Sequence, residues 1–83
     1  MIKILSAEYS EDGLIALEFS NDYKGVFNLR DYLAHHSGNL LNQLKDDSYA
    51  RRCFIDAGAL CWPNGLELSP NRLYELCLQL KAA

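Results

Sequence analysis

The chain has 83 residues, enough for one small domain with a single core and too few for a second lobe that would form a deep cleft. Hydrophobic residues make up 49% and charged residues 23%, a balance that argues against intrinsic disorder. The net charge of −3, with Arg51-Arg52 as the one local basic cluster, argues against stand-alone nucleic-acid binding, which neutralises several phosphates from one face.

In chain order, Ile2 to Tyr9 reads as a first strand with imperfect alternation, Leu5, Ala7 and Tyr9 on one face and Ile2 and Ile4 on the other. Ser10-Glu11-Asp12-Gly13 is a turn, with Asp12-Gly13 supplying the positive φ of a tight hairpin. Leu14 to Phe19 follows, with Ile15, Leu17 and Phe19 on one face and Glu18 on the other. After the polar turn Ser20-Asn21-Asp22, Tyr23, Gly25 and Phe27 share a face of a third strand, completing an antiparallel meander.

Asn28, with Asp31 three residues on, marks a helix start; Leu29, Tyr32 and Leu33 form its buried side and Gly38 stops it. Asn39 precedes Leu40, Leu41 and Leu44, a second short helical turn ending at Lys45-Asp46-Asp47. Cys53 to Asp56 and Ala59 to Trp62 are short apolar runs joined by Ala57-Gly58, a further hairpin added to the sheet. Trp62-Pro63-Asn64-Gly65 has the chemistry of a turn. Ser69-Pro70 then opens a helix running to about Leu80. The expected fold is a single α+β domain over residues 1–83. Its antiparallel sheet has four to five strands, the Pro70 helix packs on one side, and the Asn28 helix lies near an edge.

The chemistry-bearing residues are sparse. Cys53, Cys61 and Cys77 are odd in number and set in apolar surroundings, as reduced buried thiols are. No Cys-x-x-Cys or His-x(3-5)-His spacing offers a metal clamp, and His35 and His36 point about 100° apart on a helix end. Asp46, Asp47 and Asp56 read as solvated loop ends rather than an acid–base set. With no strained nucleophile turn and no Gly-rich phosphate loop, the expectation is a non-enzymatic protein without metal or cofactor. The apolar runs fall far short of the roughly 20 residues of a membrane span, and Met1-Ile2-Lys3-Ile4-Leu5 carries no basic leader and cleavage site, so a cytoplasmic location is expected.

Two surfaces stand out. The Trp62 turn reads as a structural corner in which the indole fills core volume and the chain is aimed back over the sheet. Its alternative is a recognition surface of Trp62, Asn64 and Glu67 for a peptide or small ligand; burial of Trp62 separates the two. On the last helix, Leu73, Leu76, Cys77 and Leu80 make the stripe that faces the sheet, and Tyr74 and Leu78 widen it. A homodimer or a small protein partner covering Tyr74 and Leu78 is one expectation; packing of the two under the loop from Gly38 to Ser48 is the other.

The segments GVFNLRDYL and CFIDAGALCWPNGLELSPNRLYEL resemble the domain-of-unknown-function 2442 family, short bacterial proteins marked by a strand, a Trp-Pro-Asn-Gly turn and a Pro-started helix with Leu-Tyr. The resemblance runs from about Tyr9 to Leu76. Where the family pattern has Asp two residues before the helix proline and often another beside it, this chain has Leu68 and Asn71, with Glu67 the nearest acid. The resemblance implies a small α+β fold without established catalytic residues. Some relatives continue into a helix-turn-helix DNA-binding domain, and others resemble neighbours of small toxin–antitoxin-like proteins. This chain stops at Ala83, so the DNA-binding part is not expected here. The expected role is a protein-binding or regulatory module; the alternative is a ligand-sensing domain.

Overall fold

The computed structural model describes residues 2–82, with side-chain surroundings for 2–78. Strands β1 (Ile4–Tyr9), β2 (Leu14–Phe19) and β3 (Lys24–Asn28) form the antiparallel meander, in the order β1-β2-β3. Ile15, Leu17, Phe19 and Phe27 are buried on its inner face, as the alternation requires. The imperfect pattern of the first strand has a physical cause. Ile4 lies opposite Phe19 and Ser6 opposite Glu18, so Leu5 is the extra residue of a bulge. Leu5 is 59% exposed, whereas Ile4 is buried and Ala7 and Tyr9 pack against the core. The expected grouping of Leu5 with Ala7 and Tyr9 is therefore corrected.

Helix α1 (Leu29–His35) is capped by Asn28, whose Oδ1 accepts from the Asp31 N–H at 3.0 Å. Where one helical turn was expected, α2 (Asn39–Gln43) and α3 (Asp47–Ala50) are separate. Asp46 starts the second of them by accepting from the Ser48 N–H at 3.1 Å and its hydroxyl at 2.8 Å.

Strands β4 (Phe54–Asp56), β5 (Ala59–Cys61) and β6 (Glu67–Leu68) make a second three-stranded antiparallel sheet rather than an extension of the meander. The expected single sheet of four to five strands is thus corrected to two sheets among the described residues. Ala57 and Gly58, at φ of 53° and 82°, turn the β4–β5 hairpin. The Gly58 carbonyl accepts from the Ile4 N–H at 2.9 Å, tying this hairpin to the start of β1. Glu67 and Leu68 pair with Cys61 and Leu60 before the chain enters its last helix.

Helix α4 (Pro70–Ala82) starts at Ser69, whose Oγ accepts from the Arg72 N–H at 3.2 Å. Leu73 and Cys77 are buried. The helix crosses β3 at Gly25, where a Cβ would lie 3.0 Å from the Cys77 Cβ and 3.0 Å from the Tyr23 ring, so any larger residue there would force its neighbours to shift. Ile4, Ile15, Phe19, Leu29, Leu44, Leu60, Trp62 and Leu73 join both sheets and the helices in one cluster. Each such side chain stabilises the fold by about 1.5–3 kcal/mol relative to exposure. Among the described residues no helix is long and apolar enough to cross a membrane.

Candidate functional site

The Trp62 turn is a corner closed on itself. Trp62 is 1% exposed and its indole Nε1 donates to the Ala50 carbonyl at 2.8 Å, fixing α3 to the end of β5. The Trp62 N–H donates to the Leu66 carbonyl and the Gly65 N–H to the Trp62 carbonyl, both at 3.0 Å. Asn64 is engaged at both ends of its amide. Its Nδ2 donates to Gln43 Oε1 at 2.5 Å and to the Leu40 carbonyl at 3.2 Å, and its Oδ1 accepts from the Leu66 N–H at 3.0 Å. The expected recognition surface of Trp62, Asn64 and Glu67 is corrected accordingly. Trp62 is core, Asn64 staples the turn to α2, and Glu67 alone stands exposed on β6.

A different constellation lies between the β1–β2 hairpin, α1 and the α2–α3 junction, in a cleft of about 350 Å³. Three leucines from α1 and the end of α2, Leu29, Leu33 and Leu44, line it with apolar surface. Tyr9, at the end of β1, donates its hydroxyl to Asp47 Oδ1 at 2.5 Å, and Arg51 pairs with Asp47 Oδ2 at 3.0 Å. The Arg51 guanidinium also lies 5.9 Å from the Tyr9 ring centroid. Burial, then the hydrogen bond and charge of Asp47, push the Tyr9 phenol up to about 12. The hydrogen bonds from Tyr9 and Arg51 hold the Asp47 carboxyl below its ordinary value. Arg30 and Lys45 complete the lining. These residues are scattered over the sequence, and one by one they look like ordinary surface charges; the imperfect strand ending at Tyr9 is the nearest sequence signal. Asp46 is used as a cap and Asp56 ends β4, so the three acids do not converge as a set.

The outer face of the meander is bare. Ala16 stands between Glu8 and Val26, and Glu18 between Ser6 and Lys24, in two cross-strand rows. These residues line an open depression of about 440 Å³, with Val26 48% exposed. The remaining sites of interest are occupied locally. His35 Nδ1 lies 2.9 Å from the Asp31 carbonyl, and the His36 ring stacks on Tyr32 at 4.1 Å. Burial raises all three cysteine thiols above their ordinary range. Tyr74 packs edge-on against Phe19 at 5.2 Å and Tyr23 at 5.4 Å, and its hydroxyl accepts from Asn21 Nδ2 at 3.2 Å. It therefore belongs to an aromatic cluster with β2 and β3, and it is half-buried there. Leu78 is 39% exposed. The Leu80 position of the expected stripe lies outside the described side chains.

Fold and motif together define a small α+β domain with a Trp-Pro-Asn-Gly corner whose tryptophan is buried. The chain belongs to the family described as Protein of unknown function (DUF2442), whose model matches residues 4–79. No curated protein and no solved structure matches it.

Proposed function

We propose that the chain is a non-enzymatic protein-binding and regulatory module that takes a small protein partner on the outer face of its meander, the kind of pairing found in toxin–antitoxin-type operons. The observation that supports this is the uncovered centre of that face, where Ala16 and exposed Val26 sit between two carboxylates, Glu8 and Glu18, and one cation, Lys24. A partner offering an apolar side chain flanked by basic groups complements this surface. Affinity purification from the native host tests it. The wild-type chain should retain one small protein in a fixed ratio, and Val26→Glu should release it; a wild-type chain that elutes alone refutes the reading. Leu78 on α4 offers a second surface, for a homodimer. Light scattering decides that point, because Leu78→Glu must convert a dimeric mass to a monomeric one.

The second reading is a ligand-sensing domain, favoured by the cleft beside Tyr9 and Asp47. Its concave shape, with apolar edges beside the polar groups of Tyr9, Arg30, Lys45 and Asp47, suits a small molecule. In either reading the chain works by binding, and turnover in a general hydrolase screen that is abolished by substituting Asp47, His35 or a cysteine would overturn both.

A further inference from the structure

We propose that the cleft between Tyr9, Arg30, Lys45 and Asp47 binds a small monocarboxylate with an apolar body. The inference names the ligand class for the ligand-sensing reading and rests on that reading. Its volume, about 350 Å³, is at the lower end of the roughly 300–1,000 Å³ of small-molecule sites, so the body is a single ring or a short branched chain. Ala34, Tyr9 and the small exposed edges of Leu29, Leu33 and Leu44 supply the apolar surface against which that body packs.

The charge pattern selects the head group. Among the described residues the side-chain nitrogens of Arg30 and Lys45 make no hydrogen bond or ion pair, so both are available to a carboxylate. Arg30 also lies close to the hairpin turn. A Cβ at Gly13 would lie 3.3 Å from the Arg30 Cβ and 3.5 Å from its Nε, so the bare glycine lets the guanidinium stem lie over the hairpin turn beside the cleft. The third wall is the Tyr9–Asp47–Arg51 chain. The Tyr9 proton is committed to Asp47, which leaves the phenol oxygen as an acceptor for a donor on the ligand. Asp47 remains a carboxylate in the lining and repels a second negative charge, which favours a monoanion over a phosphate dianion. A cation meets Arg30 and Lys45, and a neutral amide forfeits both charge-assisted contacts.

The test is an amide-resolved NMR titration of the full chain with benzoate, benzamide and inorganic phosphate. Benzoate should move the resonances of Gly13, Arg30 and Lys45 saturably, and the exposed-site double variant Arg30→Gln, Lys45→Gln should weaken it by about tenfold or more. An unshifted Trp62 indole resonance shows that the variant keeps the fold. Benzamide binding within about twofold of benzoate would overturn the carboxylate assignment and leave the sensing reading standing. Phosphate that displaces benzoate at equal affinity would overturn the monoanion selection by Asp47. If none of the three compounds moves the cleft resonances, both the inference and the sensing reading fail.

Discussion

The Trp62 corner and the Tyr9 cleft are both polar arrangements between secondary-structure elements, yet they are finished to different degrees. At the corner every named polar group meets the chain's own backbone or side chains: the indole on Ala50, the Asn64 amide on Leu40, Gln43 and Leu66. In the cleft, Tyr9, Asp47 and Arg51 satisfy one another while Arg30 and Lys45 are left open to solvent. Density of special residues in a sequence thus marks a structural joint here, and the place with unspent binding capacity is assembled from residues far apart in the chain.

The comparison breaks most easily at Trp62. Trp62→Ala should cost about 3–5 kcal/mol, from lost burial and an orphaned Ala50 carbonyl. Because small domains have only about 5–15 kcal/mol in total, urea unfolding of the variant should show a midpoint near or below that of a barely folded chain. Asn64→Ala removes the link between the turn and α2 and should cost about 1–2 kcal/mol in the same assay, without touching ligand binding in the cleft.

Tyr9→Phe should cost about 1 kcal/mol at neutral pH, since the hydrogen bond it removes is only partly buried. Its sharper signature is in the pH profile. The folded-state phenol is raised to about 12 from 10.0, so its contribution is complete below pH 10.0 and disappears as pH climbs toward 12. The Asp47 carboxyl is lowered, so its contribution is present above the ordinary carboxylate value and disappears as pH falls through the folded value. Thermal unfolding across pH should show the alkaline limb abolished and the acidic limb weakened in Tyr9→Phe. The smallest expected effect sharpens the contrast: Arg30→Gln and Lys45→Gln should each leave stability within about 0.5 kcal/mol of wild type, because neither cation holds the fold together. A large loss in either would make the cleft a second structural joint.

The parts of the fold that were legible in the sequence are those held by local chemistry. Ile15, Leu17 and Phe19 announce β2 by alternation, Asn28 and Ser69 announce helices by capping, and Asp12-Gly13 announces a hairpin. The bulge at Leu5 showed only as a break in alternation, because nothing local distinguishes an extra residue from a strand covered on both faces. Strand β6 was invisible for a different reason. Two residues are too short to carry a period, and Glu67 and Leu68 are extended because β5 stands opposite them. The placement of the second sheet against the first depends on how the Ala57-Gly58 turn lands on Ile4, a contact across more than half the chain. The cleft was illegible on the same grounds, since Tyr9, Arg30 and Asp47 become neighbours only after the hairpin, α1 and α3 have packed.

The passage of α4 over Gly25 carries a consequence for synthesis on the ribosome. The meander emerges first, but the helix that covers Phe19, Tyr23 and Gly25 is made some fifty residues later. Until residues 70–82 have left the exit tunnel, the nascent chain holds a three-stranded sheet whose aromatic side faces water, a species open to chaperones and to edge pairing with its neighbours on a polysome. Burial of that face therefore waits for α4, and a pause upstream of Ser69 lengthens its exposure.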